Sequence, residues 1–131
     1  MAEVVQAMGP PTGRHEQGDG APRLEFARGP MGKHTYMVDF DAQGGLLRWE
    51  QVLTENRFNA ILAGMGQDEV LKRLGQPSQR RALPYQRQMV WSYRYESAFC
   101  QWFQIGVDLQ GRVVDTGYYP DPLCDRLDPN E

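Results

Sequence analysis

The sequence predicts an α+β fold. Two tandem units are expected, each a helix hairpin with a three-stranded antiparallel sheet, with the helices on one face of the sheet. Three observations predict it. Residues 58–77 read as two short helices around a glycine corner. Stretches in the first half of the chain are echoed in the second at a spacing near 67 residues. Residues 35–40 alternate with a period of two, as a half-buried strand does.

The glycine corner organises the chain. Phe58, Ile61 and Leu62 stand at i, i+3 and i+4, which places them on one face of a helix. Gly64 and Gly66 bracket Met65 and permit a tight reversal, because glycine tolerates φ > 0. Gln67, Asp68 and Glu69 then open a second helix, Gln67–Leu74, with carboxylates in the first turn where the macrodipole favours them. Val70, Leu71 and Leu74 form its apolar face. Gly75 and Pro77 are the stop signals expected just past a helix end.

The repeat supplies the tandem. Glu3, Val4, Val5, Gly9 and Pro11 echo Glu69, Val70, Leu71, Gly75 and Pro77 at an offset of 69 − 3 = 66. Asp41 to Gly44 echo Asp108 to Gly111 at 108 − 41 = 67, and Leu24 and Phe26 align with Trp91 and Tyr93 at the same offset. Such a period is too long for a solenoid and suits a duplicated small unit. The expected divisions are a first repeat over 1–53 (helix, loop, three strands) and a second over 54–119 (two helices, three strands). An irregular acidic tail over 120–131 follows. Ala2–Met8 is the expected counterpart of Gln67–Leu74. Met1 opens inside a helix, so the first copy is expected to lack its opening helix and further residues are expected upstream.

Strand parity assigns faces. Tyr36, Val38 and Phe40 align with Phe103, Ile105 and Val107, and these six should face the helices. The opposite face then carries Cys100, Trp102 and Gln104. Residues 41–45 form an Asp- and Gly-rich turn, and 46–53 read as the returning strand. Residues 12–22 and 76–88 read as loops.

The 58–77 stretch resembles the helical hairpin of the SmpA/OmlA (BamE-like) family of small outer-membrane lipoproteins. The residues that carry the resemblance are Phe58, Ile61, Gly64, Met65, Glu69, Val70, Leu74, Gly75 and Pro77. Gly66 stands where the family usually has a capping Thr or Ser, and glycine also serves as an N-cap. The resemblance covers about half the chain. It implies three strands after the hairpin, here 90–95, 101–108 and 112–118. A similar hairpin-on-sheet arrangement in tandem is known from β-lactamase inhibitor proteins.

Composition narrows the function. The 131 residues are 40% hydrophobic and 24% charged, enough for a real core. A net charge of −3 makes no general case for nucleic acid. No apolar run approaches the ~18–20 residues of a membrane span. Cys100 and Cys124 are the only cysteines. An even count in an exported protein favours a disulfide. The alternative is a reactive thiol or a zinc site with His15 and His34, which no ligand spacing supports; in a cytosolic protein the pair would be inert thiols. Asp41 and Asp108 precede turns and suit bonding to their own backbone, so neither they nor Asp39 argue for acid–base chemistry. No nucleophile set or phosphate loop stands out, and the protein is expected to be non-enzymatic, without cofactor or metal.

Two groups of residues suggest a partner. Arg80, Arg81 and Arg87, with no acid nearby in sequence, read either as a dock for anionic lipid headgroups or an acidic partner, or as a solvated loop, the preferred reading. Trp102, Tyr118 and Tyr119 read as an exposed hot spot, unless the acidic tail covers them. The resemblance implies a periplasmic accessory lipoprotein, anchored to the outer membrane through a lipid anchor that is not in this sequence. It would support β-barrel assembly or envelope integrity through a protein partner in the cell envelope. The alternative is a binding or inhibitory module of the β-lactamase-inhibitor type.

Overall fold

The computed structural model describes residues 1–28 and 32–127. In chain order the elements are α1 (Ala2–Met8), β1 (Gly13–Glu16), β2 (Pro22–Arg28), β3 (His34–Phe40), β4 (Leu46–Gln51), α2 (Glu55–Phe58) and α3 (Gln67–Leu74). They continue with β5 (Gln79–Leu83), β6 (Gln88–Tyr93), β7 (Gln101–Asp108), β8 (Val113–Pro120) and α4 (Pro122–Leu127). The strands form two separate antiparallel sheets, β1-β2-β3-β4 and β5-β6-β7-β8.

This corrects the expected α+β fold of hairpin-plus-three-strand units. The protein is mostly β, with 44% of residues in strands against 21% in helices. The added strands, β1 and β5, come from the stretches read as loops. Both are edge strands rich in polar side chains (Gly-Arg-His-Glu, and Gln-Arg-Arg ahead of Ala-Leu). Charge on an edge strand blunts unwanted pairing and also erases the apolar alternation by which a strand is read.

The hairpin helix is also corrected. α2 spans four residues, with Thr54 at its N-cap accepting from the Arg57 N–H. Ile61 is buried, but Leu62 is 64% exposed, so the three residues do not share a helical face. The chain from Gly64 to Gly66 instead pairs with the edge of β8: Gly64 N–H donates to the Val113 carbonyl (2.7 Å) and Val113 N–H to the Met65 carbonyl (2.8 Å). These bonds to a tertiary neighbour replace those of a longer helix.

The two halves repeat in backbone register. Leu24 pairs with Val38 and Trp91 with Ile105; Tyr36 pairs with Gln51 and Phe103 with Tyr118. The β-bulge between Asp39 and Phe40 recurs between Gly106 and Val107. Asp41 Oδ1 accepts from the N–H groups of Gln43 and Gly45, and Asp108 Oδ1 from those of Gln110 and Arg112. Gly9 and Gly75 end α1 and α3 with near-identical dihedrals, each N–H bonded 2.8 Å back to a helix carbonyl. The one-residue slip between offsets 66 and 67 falls in the β1–β2 and β5–β6 hairpins, where the second copy is one residue longer.

The sheets neither join nor carry all helices on one face. α1 packs Val4, Val5 and Met8 on Leu24, Phe26, Val38 and Phe40 of the first sheet. The opposite face of that sheet meets the C-terminal end of α3. α3 in turn packs Val70 and Leu74 with Phe58 and Ile61 on Trp91, Tyr93, Phe103 and Ile105 of the second sheet, in a cluster that Met37 joins.

Charged groups line this seam between the halves. Asp39, 1% exposed, accepts from Arg23 Nη1 through both carboxylate oxygens (2.9 Å each) and from Arg48 Nε (2.8 Å). Arg23 Nε donates to the Lys72 carbonyl at the end of α3 (2.9 Å). Glu25, fully buried, accepts from the Gln76 N–H (3.1 Å) and Thr12 Oγ1 (3.3 Å), with His15 Nε2 at 3.0 Å. A side chain at Gly75 would come within 2.7 Å of the Glu25 carboxyl at a φ of +79°, so glycine is needed there both for the turn and for the close approach.

The tail, expected to be irregular, turns into α4. Asp121 Oδ1 accepts from the Leu123 N–H (2.9 Å) and Pro122 opens the helix, a capping arrangement. Residues 128–131 of that tail lie outside the described residues.

Candidate interaction surface

The face of the second sheet turned away from α3 is built from alternate residues of four strands. Arg81, Val90, Gly106 and Asp115 align across it. The next row holds Ser92, Gln104 and Gly117, with Gln104 Nε2 donating to Ser92 Oγ (2.9 Å). Tyr119 pairs with Trp102 and lies back over Gly117, where a Cβ would come within 2.8 Å of the ring. Tyr119 is 52% exposed and, with Arg81, Gln88 and Gln104, lines a shallow groove of about 270 Å³.

This face has an internal reference. Arg23, Glu25, Met37 and Asp39 occupy the same register positions in the first sheet as Val90, Ser92, Gln104 and Gly106 do in the second. In the first sheet that face lies beneath α3. The second sheet carries uncharged residues there: Val90 and Gln104 are half-buried along the groove, and Ser92 and Gly106 are buried.

One end of the face is closed, which corrects the expected exposure of Trp102. Trp102 is 5% exposed, with the Arg94 guanidinium 4.9 Å from its ring centroid. Asp121 holds Arg94 through its carboxylate oxygens at 2.9 and 3.3 Å. The indole therefore spends its face on a cation within the chain. Asp121 N–H also donates to the Cys100 carbonyl (3.1 Å), and Cys100 is paired with Cys124 across a Cα–Cα distance of 6.3 Å. Cys100 sits ahead of β7 in a left-handed conformation, φ 51°, instead of within the strand.

Tyr118 lies on the side opposite to that expected. Its partner in register is Phe103, and its ring packs at 5.2 Å from Phe103 and 6.4 Å from Phe58. Its hydroxyl donates to Asn59 Oδ1 (2.8 Å), and burial pushes its pKa up to about 12. Of the three aromatic candidates only Tyr119 is exposed.

The arginine group is split between the two faces of the sheet. Arg81 stands on the open face. Arg80 lies over Trp91, 4.6 Å from the ring centroid, and donates to Gln76 Oε1 (2.8 Å). Arg80 and Arg87 line a cleft of about 630 Å³ between α3 and the β5–β6 hairpin, floored by Leu71, Met89 and Trp91. Asp68 and Asp108 stand in the same lining, so the cleft mixes both signs of charge and is not a uniformly cationic dock. Arg87 takes φ 53° at the hairpin tip.

The histidines are engaged separately: His15 with Glu25, and His34 Nε2 at 4.0 Å from Glu96. Among the described residues no group of three or more His, Cys, Asp or Glu converges as a metal site. Sequence reasoning missed the Arg94–Asp121 clamp. The signal was an Asp directly before a Pro, a helix start in the midst of what read as irregular tail.

The tail closure gives a direct expectation. Reduction should lower stability by roughly 3 kcal/mol, the loop-entropy contribution of a crosslink of this span. It should also release α4 and unseat Asp121 from Arg94, leaving α3 in place. Thermal unfolding with and without reductant measures the first, and Trp102 fluorescence the second. Two alkylated thiols in the folded, oxidised protein would show that the crosslink is not formed.

No family model, curated protein or solved structure matches this chain.

Proposed function

We propose that the protein is a non-enzymatic binding module of the cell envelope that engages a protein partner through the open face of the second sheet. The observation that carries this reading is the unequal fate of two equivalent faces. In the first sheet α3 covers the face; in the second, no helix lies over the same positions among the described residues, and a shallow groove runs there with the exposed Arg81 and Tyr119 at its edges. Tyrosine and arginine are the side chains enriched where interfaces concentrate their energy. A Cys100–Cys124 crosslink fits an oxidising compartment such as the periplasm. The resemblance of 58–77 to outer-membrane lipoproteins favours an accessory role in β-barrel assembly or envelope integrity. An inhibitory module against a single soluble enzyme would use the same face.

Affinity capture from envelope extract separates the two roles. Barrel-assembly components retained by the wild type support the first, and one soluble enzyme supports the second. The double variant Arg81→Glu, Tyr119→Ala should lose the capture, since truncating one hot-spot aromatic costs about 2 kcal/mol or more. Both side chains are exposed, so the fold is kept. Equal capture by wild type and variant would reject this face.

A further inference from the structure

We infer that the cleft along the seam between the first sheet and α3 is a binding site for a phosphate monoester. The cleft has a volume of about 310 Å³ and is walled by both halves of the chain. Five cationic side chains line it against three carboxylates, an excess of two positive charges. The chain as a whole carries a net charge of −3, so this excess is local to the cleft.

Most of the lining charges are already spent on one another. Asp39 serves two guanidiniums, those of Arg23 and Arg48. Glu50 accepts from Arg57, and Glu69 from Arg73 (2.9 Å). Two donors are left over, one from each half. Arg23 is only 8% exposed, yet among the described residues its Nη2 has no acceptor within hydrogen-bond distance, and Glu50 Oε1 stands off at 3.7 Å. Lys72 is half-buried, and among the described residues no carboxylate lies within 4.0 Å of its ammonium. Glu16 and Asp68 share a neighbouring hollow with Lys72 but stand outside that distance. Leaving the donors of a desolvated cation without acceptors is costly, and a ligand that supplies the acceptors recovers the loss.

The ligand that fits brings two negative charges and several acceptor oxygens on one small group. A phosphate monoester carries about −1.5 to −2 at pH 7 with three such oxygens. A phosphodiester or a carboxylate carries a single charge and would leave half of the excess unmatched. Arg23 Nη2 from the first half and the Lys72 ammonium from the second would each donate to the phosphate. Arg48 is 69% exposed and can turn toward it, and the planar guanidinium fork suits phosphate oxygens. The bound group would then bridge the two halves across the seam.

The cleft lies away from the open face of the second sheet, so this inference and the proposed function can fail independently. The probe is glycerol phosphate, titrated into the isotope-labelled full protein at constant ionic strength, because salt screens exposed charges. Saturable shifts of the Arg23 and Lys72 amide resonances are expected, with a midpoint below about 5 mM. The melting temperature should rise with ligand, as it does when only the folded chain binds. Lys72→Gln should weaken binding about tenfold, the size of one charged hydrogen bond, and Lys72→Arg should keep it. Both variants retain the Lys72 backbone carbonyl that holds Arg23, so the fold is kept. Shifts that fail to saturate by about 50 mM would overturn the inference, as would equal binding by wild type and Lys72→Gln. Vesicles with phosphodiester headgroups separate the sources. Retention on them that Lys72→Gln abolishes, with no response to glycerol phosphate, would assign the cleft to a lipid headgroup and overturn it equally.

Discussion

Replacing Asp39 by alanine is expected to cost about 3–5 kcal/mol of folding stability, the range for removing one partner of a buried ion pair. Asp39 is 1% exposed and holds Arg23 with both oxygens. Arg23 is itself buried, anchored through Nε to the Lys72 carbonyl, and among the described residues its second carboxylate is Glu50 at 3.7 Å. Without Asp39, most of the Arg23 charge stays desolvated and uncompensated. Arg48, the other partner, is exposed and can turn into water, so Arg48→Ala should cost about 0–1 kcal/mol. A paired exchange, Arg23→Met with Asp39→Leu, should recover much of the loss, because replacing both charges with apolar groups avoids the desolvation penalty. Urea unfolding of the three variants measures these differences. An Asp39→Ala protein within 1 kcal/mol of the wild type would mean that the seam between the halves is not held as described.

Phe58→Ala should cost about 3–5 kcal/mol, as large-to-small changes at fully packed aromatic positions do. Phe58 is wholly buried. It stacks on Phe103 and meets Tyr95 edge-on at 5.0 Å and 81°, with Tyr93 at 6.3 Å. Two of its neighbours are held back from the space, Tyr93 by its hydroxyl bond to the Gly75 carbonyl (2.8 Å) and Tyr95 by its bond to Glu55 (2.8 Å). Leu62→Ala is the matched control. A helical face containing Phe58, Ile61 and Leu62 would make both substitutions severe. The exposed Leu62 of the structure should give a change within about 0.5 kcal/mol. Chemical denaturation of the two variants decides between the readings.

These contrasts show how much of the molecule could be read from sequence. The parity of Tyr36, Val38 and Phe40 and of Phe103, Ile105 and Val107 placed six side chains toward helices. The structure packs them there, because alternation in a strand is fixed by local geometry. The Asp-x-x-Gly turns were legible for the same reason: each aspartate bonds the backbone two residues on. Within the candidate surface, Tyr119 and Arg81, singled out by residue type, are exposed. Trp102 and Tyr118 were misplaced because their neighbours, Arg94 with Asp121 and Phe58 with Asn59, come from elsewhere in the chain.

The sequence by itself determined the repeat, the bonding of its turns, the α3 helix and the inward face of the central strands. All of these rest on contacts within a few residues or on a chain period. Only the tertiary structure decided that β1 and β5 are strands, since a polar edge strand is defined by the neighbour it pairs with. It decided that α2 stops at Phe58, because the β8 edge offers the Gly64–Gly66 backbone its partners. It also decided that Glu25 and Asp39 are core residues. A carboxylate reads as a surface group until arginine, histidine and backbone donors from distant segments converge on it and offset the loss of water.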